Sequence, residues 1–426
     1  MKVSPARLAA FNVLLRIETE RSFSSVLLPA YEAELSAPDR ALCHELTLGT
    51  LRRQMYLDRV IDHCSKGKKL DNAVRVALRL GVYQLLFLDK IPAYSAVDES
   101  VNLVQIAKKT SAKGFVNAIL RRVTKERPEL VFKDEVERLS IETSHPRWLI
   151  EKWIDEFGFE QAEQLASANN QAGGHAFRLL GETRSDTFNS RRSEFVEGCY
   201  LTDRIDSNLI AAAEKHEIYF QDEGSQMIGW SVKVPAGGNF LDVCAAPGGK
   251  TGLIANRHAP SVGIAVAGDL YWQRVVGLRD NCRRQGVGDI PVVQCDAEKV
   301  LPFADNSFDA ILIDAPCSGT GTIRHNPELR YFINPDDITE LSNKQLAILE
   351  NASKLVKSGG WMIYSTCSLE KEENEMVCGR FLNENSNFQL ALPDVPDRFL
   401  TNEGFARMFP HRDGMDGFFI AEFRKN

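Results

Sequence analysis

Two short stretches carry the chemistry most readily read from this chain. Asp314-Ala-Pro-Cys317-Ser-Gly-Thr-Gly321 follows the apolar run Phe308–Ile313, and Ser365-Thr-Cys367-Ser368 follows Trp361–Tyr364. Each run is of strand length, so a thiol stands at the mouth of two strands, one of them beside an Asp-Pro turn. Packing alone explains such a pair poorly. Carbon 5 of cytosine is too weak a nucleophile to attack a sulfonium methyl unaided. Adding a thiolate to carbon 6 makes carbon 5 enamine-like and reactive. An acid near ring nitrogen 3 assists the addition, and a proton must leave carbon 5 before the thiolate is expelled. Cys317, Cys367 and Asp314 provide the thiols and the carboxyl, and spacing leaves open which thiol attacks.

Such chemistry needs a methyl donor, and three earlier strand ends are suited to hold one. Phe240-Leu-Asp-Val-Cys244 runs into Ala245-Ala246-Pro247-Gly248-Gly249-Lys250, where paired glycines let backbone approach a ligand at a helix start. Asp269 ends a second strand (Val262–Ala267) about 20 residues on, where a carboxylate accepts hydrogen bonds from ribose hydroxyls. Asp296 ends a third (Pro291–Cys295), where an acid can take an adenine amino group. The three in register describe an adenosine-type site, and S-adenosyl-L-methionine is the expected cofactor. Gly249-Lys250-Thr251 also matches the tail of a phosphate-binding P-loop, but Cys244 stands where that motif requires its first glycine. A triphosphatase is therefore disfavoured, and the G-x-G-x-x-G fingerprint of a dinucleotide site is missing.

These strand ends require a scaffold. From Phe240 onward, apolar runs alternate with helix-length segments such as Tyr271–Gln285 and Ile338–Lys357, which predicts a parallel, doubly wound sheet. Residues 1–127 differ: apolar residues recur at helical spacing, as in Val74-Arg-Val-Ala-Leu-Arg-Leu-Gly-Val-Tyr-Gln-Leu-Leu86, so a helical bundle is expected. The N-terminal stretch is read as its first helix rather than a signal peptide, because Arg16, Glu18 and Glu20 interrupt the apolar run. Between them, residues 128–215 read as connector helices, one opening after Pro146, followed by a small α/β subdomain. Residues 216–426 form the ligand-binding domain. The overall class is α/β with an all-α N-terminal domain.

With 426 residues, several domains are the natural expectation. No segment approaches the roughly 18 uninterrupted apolar residues of a membrane helix, so a cytoplasmic protein without membrane contact is expected. The nine cysteines form no C-x-x-C pair, and no metal site is expected. A net charge of −7 argues against indiscriminate coating of nucleic acid. Yet Val101–Arg127 holds seven basic residues (Lys108, Lys109, Lys113, Arg121, Arg122, Lys125, Arg127) against the single acid Glu126. That stretch is either a solvated helix face or a phosphate-binding surface.

The motifs closely resemble the Sun/RsmB family of ribosomal RNA cytosine-C5 methyltransferases: CAAPGGK (Cys244–Lys250), Asp269, Asp296, DAPCSGTG (Asp314–Gly321) and STCS (Ser365–Ser368). Ala41–Arg53, Leu78–Pro92 and Phe115–Arg122 look like the NusB-like RNA-binding domain of this branch, and Arg407–Phe419 is a further family signature. The resemblance implies a Rossmann-like class I methyltransferase domain with Cys367 as nucleophile, Cys317 in product release and Asp314 against the cytosine. It assigns the donor to Cys244, Ala245, Ala246, Pro247, Gly248, Gly249, Lys250, Asp269, Asp296 and Asp314. It makes small-subunit (16S) ribosomal RNA the expected partner of a monomeric enzyme, with Lys108, Lys109, Lys113, Arg121, Arg122 and Arg324 as candidate RNA contacts. The chain departs from the family at Phe177-Arg-Leu-Leu180, where an R-V-N segment is usual, and at Gly268, where a branched residue is usual. A non-catalytic RNA-binding assembly factor is the alternative, and the intact Cys367 and glycine pair speak against it.

Overall fold

A computed structural model describes residues 3–181, 183, 185–258 and 263–426. Met1 and Lys2 of the expected first helix segment, and Val262 of the expected second strand, lie outside the described residues. The chain divides into two compact units, residues 1–172 with 323–332, and residues 173–322 with 333–426. Among the described residues, no helix is long and apolar enough to cross a membrane.

The first unit is helical, from Pro5–Glu20 to Phe159–Ala168. Its helices follow apolar positions at helical spacing, and some open on a side-chain cap. In Asn72–Phe87, Asp71 accepts a hydrogen bond from the Ala73 amide, and the helix is buried on nearly every side from Ala73 to Gln84, as befits the central helix of a bundle. In Lys113–Lys125, Val116, Ile119, Leu120 and Val123 recur at helical spacing and are buried. Each contributes about 1.5–3 kcal/mol. Lys108, Lys109, Arg121 and Arg122 of the basic stretch are exposed and Lys113 is half-buried.

Helices Glu135–Thr143, Arg147–Phe157 and Phe159–Ala168, which the sequence suggests as a connector, belong to this first unit. So does Ile323–Phe332, which the chain reaches directly after Thr322. Glu328 accepts hydrogen bonds from the Ser24 amide and hydroxyl at 2.6 and 2.8 Å. Arg330, with no exposed surface, donates to the carbonyl oxygens of Thr143 (3.0 Å) and Asn169 (3.2 Å) and to Asn170 Oδ1 (2.9 Å). Burial among neutral acceptors pulls its guanidinium down to about 10.

The second unit holds two sheets. The smaller is antiparallel, in the order β2-β3-β1-β4, with β1 His175–Leu179, β2 Arg191–Arg192, β3 Cys199–Thr202 and β4 Ile218–Phe220. Its fourth strand lies beyond the boundary at residue 215 expected from sequence, because three residues are too short to read as a strand.

The larger sheet comprises β5 (Phe240–Asp242), β6 (Ala265–Asp269), β7 (Val292–Gln294), β8 (Phe308–Asp314), β9 (Val356–Thr366), β10 (Phe388–Ala391), β11 (Ala406–Met408) and β12 (Phe418–Lys425). The order is β7-β6-β5-β8-β9-β12-β10, with β11 on β12. Strands β5 to β9 pair in parallel, as the alternation of strands and helices requires, whereas β10, β11 and β12 are antiparallel additions absent from the sequence reading. The chain runs from β5 to one side through β6 and β7, then returns to the other through β8 and β9. The switch point therefore lies between β5 and β8, where such sheets bind ligands.

Candidate active site

At the switch point, Cys244–Lys250 leads from β5 into helix Gly249–His258. Gly248 has φ +101°, and a Cβ there would meet Leu278 Cδ1 at 2.8 Å, so both backbone and space demand glycine. The turn is fastened from outside. The Ala246 amide donates to Asp269 Oδ2 (3.1 Å), Asn281 donates to the Pro247 carbonyl (2.8 Å) and Gln285 to the Gly248 carbonyl (3.1 Å). Arg178, in the stretch that departs from the R-V-N pattern, is buried and donates to Gln285, Gln221 and the Gly249 carbonyl. In this fold Arg178 braces the turn.

The turn borders a cavity of about 230 Å³ whose walls include Tyr219, Asp242, Cys244, Pro247, Lys250 and Asp314. Asp269 is buried at the end of β6 and also accepts from the Tyr271 amide (3.3 Å). Gly268 precedes it because Cys295 Sγ fills the space: a Cβ would lie 2.8 Å from the sulfur. Asp296 caps the Glu298 amide (3.1 Å) and pairs with Lys299 at 3.0 Å, which lowers its carboxyl. Cys244 is driven well above the usual thiol range by burial and by nearby carboxylates, which leaves it an apolar wall.

Asp242 was not singled out in sequence. Its Oδ2 accepts from Thr251 Oγ1 (2.6 Å), while its buried Oδ1 has no hydrogen-bond partner. Burial raises the carboxyl to about 7. An unsatisfied carboxylate oxygen on a cavity wall suits a cationic ligand, and S-adenosylmethionine carries both an ammonium and a sulfonium. The residues present fit that group. Only the strand-end position two residues before Cys244 could have signalled it.

The thiols lie at the next two strand ends. Cys317 Sγ and Cys367 Sγ are 3.3 Å apart, both half-buried. Cys367 and burial together push the Cys317 thiol well up, so Cys317 keeps its proton. Asp314, at the end of β8, accepts from Lys250 Nζ at 2.7 Å and from Ser365 Oγ at 2.9 Å. Burial would lower the Lys250 ammonium, but Asp314 outweighs it, with a further contribution from Cys367, and the lysine is held charged. The donor turn, the carboxylate and the thiol pair are thus brought to one edge of one sheet. Of the candidate RNA contacts, Arg324 belongs to the segment folded into the helical unit and is only 5% exposed. It is set aside as a phosphate contact because its side chain does not face solvent.

Strand order, turn and cavity define a Rossmann-like methyltransferase that uses S-adenosylmethionine, joined to a helical NusB-type domain. Residues 232–424 match the family model described as 16S rRNA methyltransferase RsmB/F, and residues 4–125 match the NusB family. The chain is 33% identical to the probable ribosomal RNA small subunit methyltransferase B of Bacillus subtilis, covering 100% of both. It is 31% identical to ribosomal RNA small subunit methyltransferase B of Pseudomonas putida, over 98% of each chain. Among solved structures, PH0851 superposes with a TM-score of 0.84 at 27% identity over 100% of both chains. A methyltransferase homologue from Pyrococcus horikoshii gives 0.58 at 26% identity over 69% of this chain and 100% of that one. The chain belongs to the RsmB/F family of 16S rRNA methyltransferases.

Proposed function

We propose that the enzyme methylates carbon 5 of a cytosine in small-subunit ribosomal RNA through a covalent adduct with Cys367. The observation that carries this reading is the thiol pair, 3.3 Å apart, at the strand ends beside the Asp314–Lys250 pair. When bound, S-adenosylmethionine supplies an electrophilic methyl group. Turn residues Cys244–Lys250, with Asp269 and Asp296, would hold its adenosyl part, and Asp242 would offer its unpaired oxygen to the positive charge.

Cys367 forms the S–C6 bond, and a proton is taken up at N3, on the edge that Asp314 contacts. Lys250, held on Asp314, places positive charge where negative charge develops. Once carbon 5 bears the methyl group, its proton must leave and the S–C6 bond must break. Cys317 carries out this exchange: it gives its own proton to the departing Cys367 sulfur and takes the proton from carbon 5. The electron pair of the C5–H bond restores the ring double bond, the proton at N3 returns to solvent, and both thiols end protonated.

The basic residues Lys108 and Lys109, in the turn before helix Lys113–Lys125, and Lys113, Arg121 and Arg122 within it bind phosphates of the RNA, since a local cluster of like charge is the electrostatic footprint of a nucleic-acid site. The substrate places the reaction in the cytoplasm. Incubating the enzyme with methyl-labelled S-adenosylmethionine and unmethylated small-subunit ribosomal RNA, followed by nucleoside analysis, tests the reading. Labelled 5-methylcytosine is expected. RNA binding without any labelled nucleoside would favour the assembly-factor alternative.

A further inference from the structure

Below the two thiols lies a carboxylate that the proposed chemistry does not use. Glu373 has no exposed surface. Its Oε1 accepts from the Ser318 amide and from Gln345 Nε2, both at 2.9 Å. Its Oε2 accepts from Ser318 Oγ and Ser368 Oγ, both at 2.5 Å. Ser318 directly follows Cys317, and Ser368 directly follows Cys367. The same Gln345 amide also donates to the Pro316 carbonyl at 2.9 Å, on the other side of Cys317.

All four donors to Glu373 are neutral. Among the described residues no cation pairs with Glu373, and a buried carboxylate so placed is a costly arrangement, tolerated where its lone pairs are used. Two neighbours extend the set. Asn374 accepts from Thr366 Oγ1 (2.6 Å) and donates to the Ser368 carbonyl (2.9 Å), so it spans Cys367 from both sides. The Gly321 amide donates to the Cys367 carbonyl at 2.9 Å, tying the two loops directly. Each cysteine is therefore gripped at flanking residues, and its sulfur takes no part in the grip.

We propose that Glu373 is a positioning residue that locks the Cys317 loop to the Cys367 loop and so sets the distance between the two sulfurs. The proposal rests on the reading in which Cys367 attacks and Cys317 assists release. One carboxylate bridging the residue after each cysteine, together with the Gly321–Cys367 backbone tie, fixes the register of the two loops. The negative charge of Glu373 also adds to the effects of Cys367 and burial in keeping Cys317 protonated.

Glu373→Gln tests it, because the amide keeps the shape but can accept from only one side. Expected is a folded protein with unchanged affinity for S-adenosylmethionine and unchanged KM for RNA, whose kcat falls on the order of 10²-fold, as a displacement of about 1 Å between reacting groups costs. Retention of kcat within about twofold would overturn the proposal. So would a parallel loss of donor affinity, which marks a general structural role. Should Glu373→Gln fail to fold, the double variant Ser318→Ala/Ser368→Ala removes two donors and spares the carboxylate. A kcat reduced about tenfold or more with donor affinity intact supports the lock, and an unchanged kcat overturns it. Wild-type enzyme run in parallel separates two failures. Absence of 5-methylcytosine there defeats the cysteine chemistry and the lock with it, whereas a normal wild type beside a normal Glu373→Gln defeats the lock alone.

Discussion

The basic face of the helical unit and the thiol pair of the catalytic unit represent opposite ways of building function. On the face, Lys108, Lys109, Arg121 and Arg122 are exposed, and Lys109 pairs with Asp71 at 2.8 Å. Contributions from such a surface are individually modest, nearly additive and screened by salt. At the thiols, two sulfurs 3.3 Å apart depend on a buried network in which each hydrogen bond is made once. Loss of one atom there should be felt out of proportion to its size. A charged surface tolerates drift in sequence, whereas a buried site does not.

The comparison is sharpened first at its steep end. Cys367→Ala should lower methylation on the order of 10⁴-fold or more, as removal of a nucleophile does in other covalent mechanisms, while equilibrium dialysis shows donor binding intact. On the basic face, changing Lys108, Lys109, Lys113, Arg121 and Arg122 together to Gln should weaken RNA binding about 10²-fold at moderate salt. It should also flatten the dependence of log affinity on log salt by roughly one for each phosphate that is no longer neutralised. An unchanged slope would remove the face from the RNA site. Any single change among the five that abolished binding would contradict the additive picture.

Two smaller effects separate the donor turn from the thiols. Gly248→Ala forces a side chain onto φ +101° and against Leu278. About 1–2 kcal/mol of strain should weaken donor binding about tenfold. Calorimetry reads this directly, and an unaltered dissociation constant would show that the turn can relax. The last prediction concerns pH. Asp242, raised by burial to about 7, is largely neutral at pH 6 and ionised at pH 8. A cationic donor favours the ionised form, so affinity should rise by up to about tenfold across that interval. Asp242→Asn should abolish the slope. A slope that survived the substitution would assign it to another group.

The candidate site was legible because its residues cluster in short motifs at the ends of parallel strands, and strand ends of a doubly wound sheet are where ligands must sit. Cys317, Cys367, Asp314, Lys250 and the glycine turn could be named from type and position. Helix Arg147–Phe157 was found because Pro146 announces its start. The antiparallel strands were not read: β10 and β11 have four and three residues, and β12 begins within Arg407–Phe419, which was read as a family signature and not as the start of a strand. Asp242 and Glu373 escaped for a different reason. Their significance lies in what surrounds them, an unpaired oxygen in one case and four converging donors in the other, and neither is written in local spacing. Arg330 is hidden in the same way, since an arginine in Ile323–Phe332 reads as solvated until two separate segments of backbone close around it.

The most direct test of the division of labour between the thiols is a denaturing gel of Cys317→Ala and Cys367→Ala, each incubated with small-subunit ribosomal RNA and S-adenosylmethionine. With Cys367 as attacker and Cys317 as the release group, the first variant accumulates a slow-migrating protein–RNA adduct and the second yields none. An adduct in Cys367→Ala and its absence in Cys317→Ala would contradict the account and exchange the two roles.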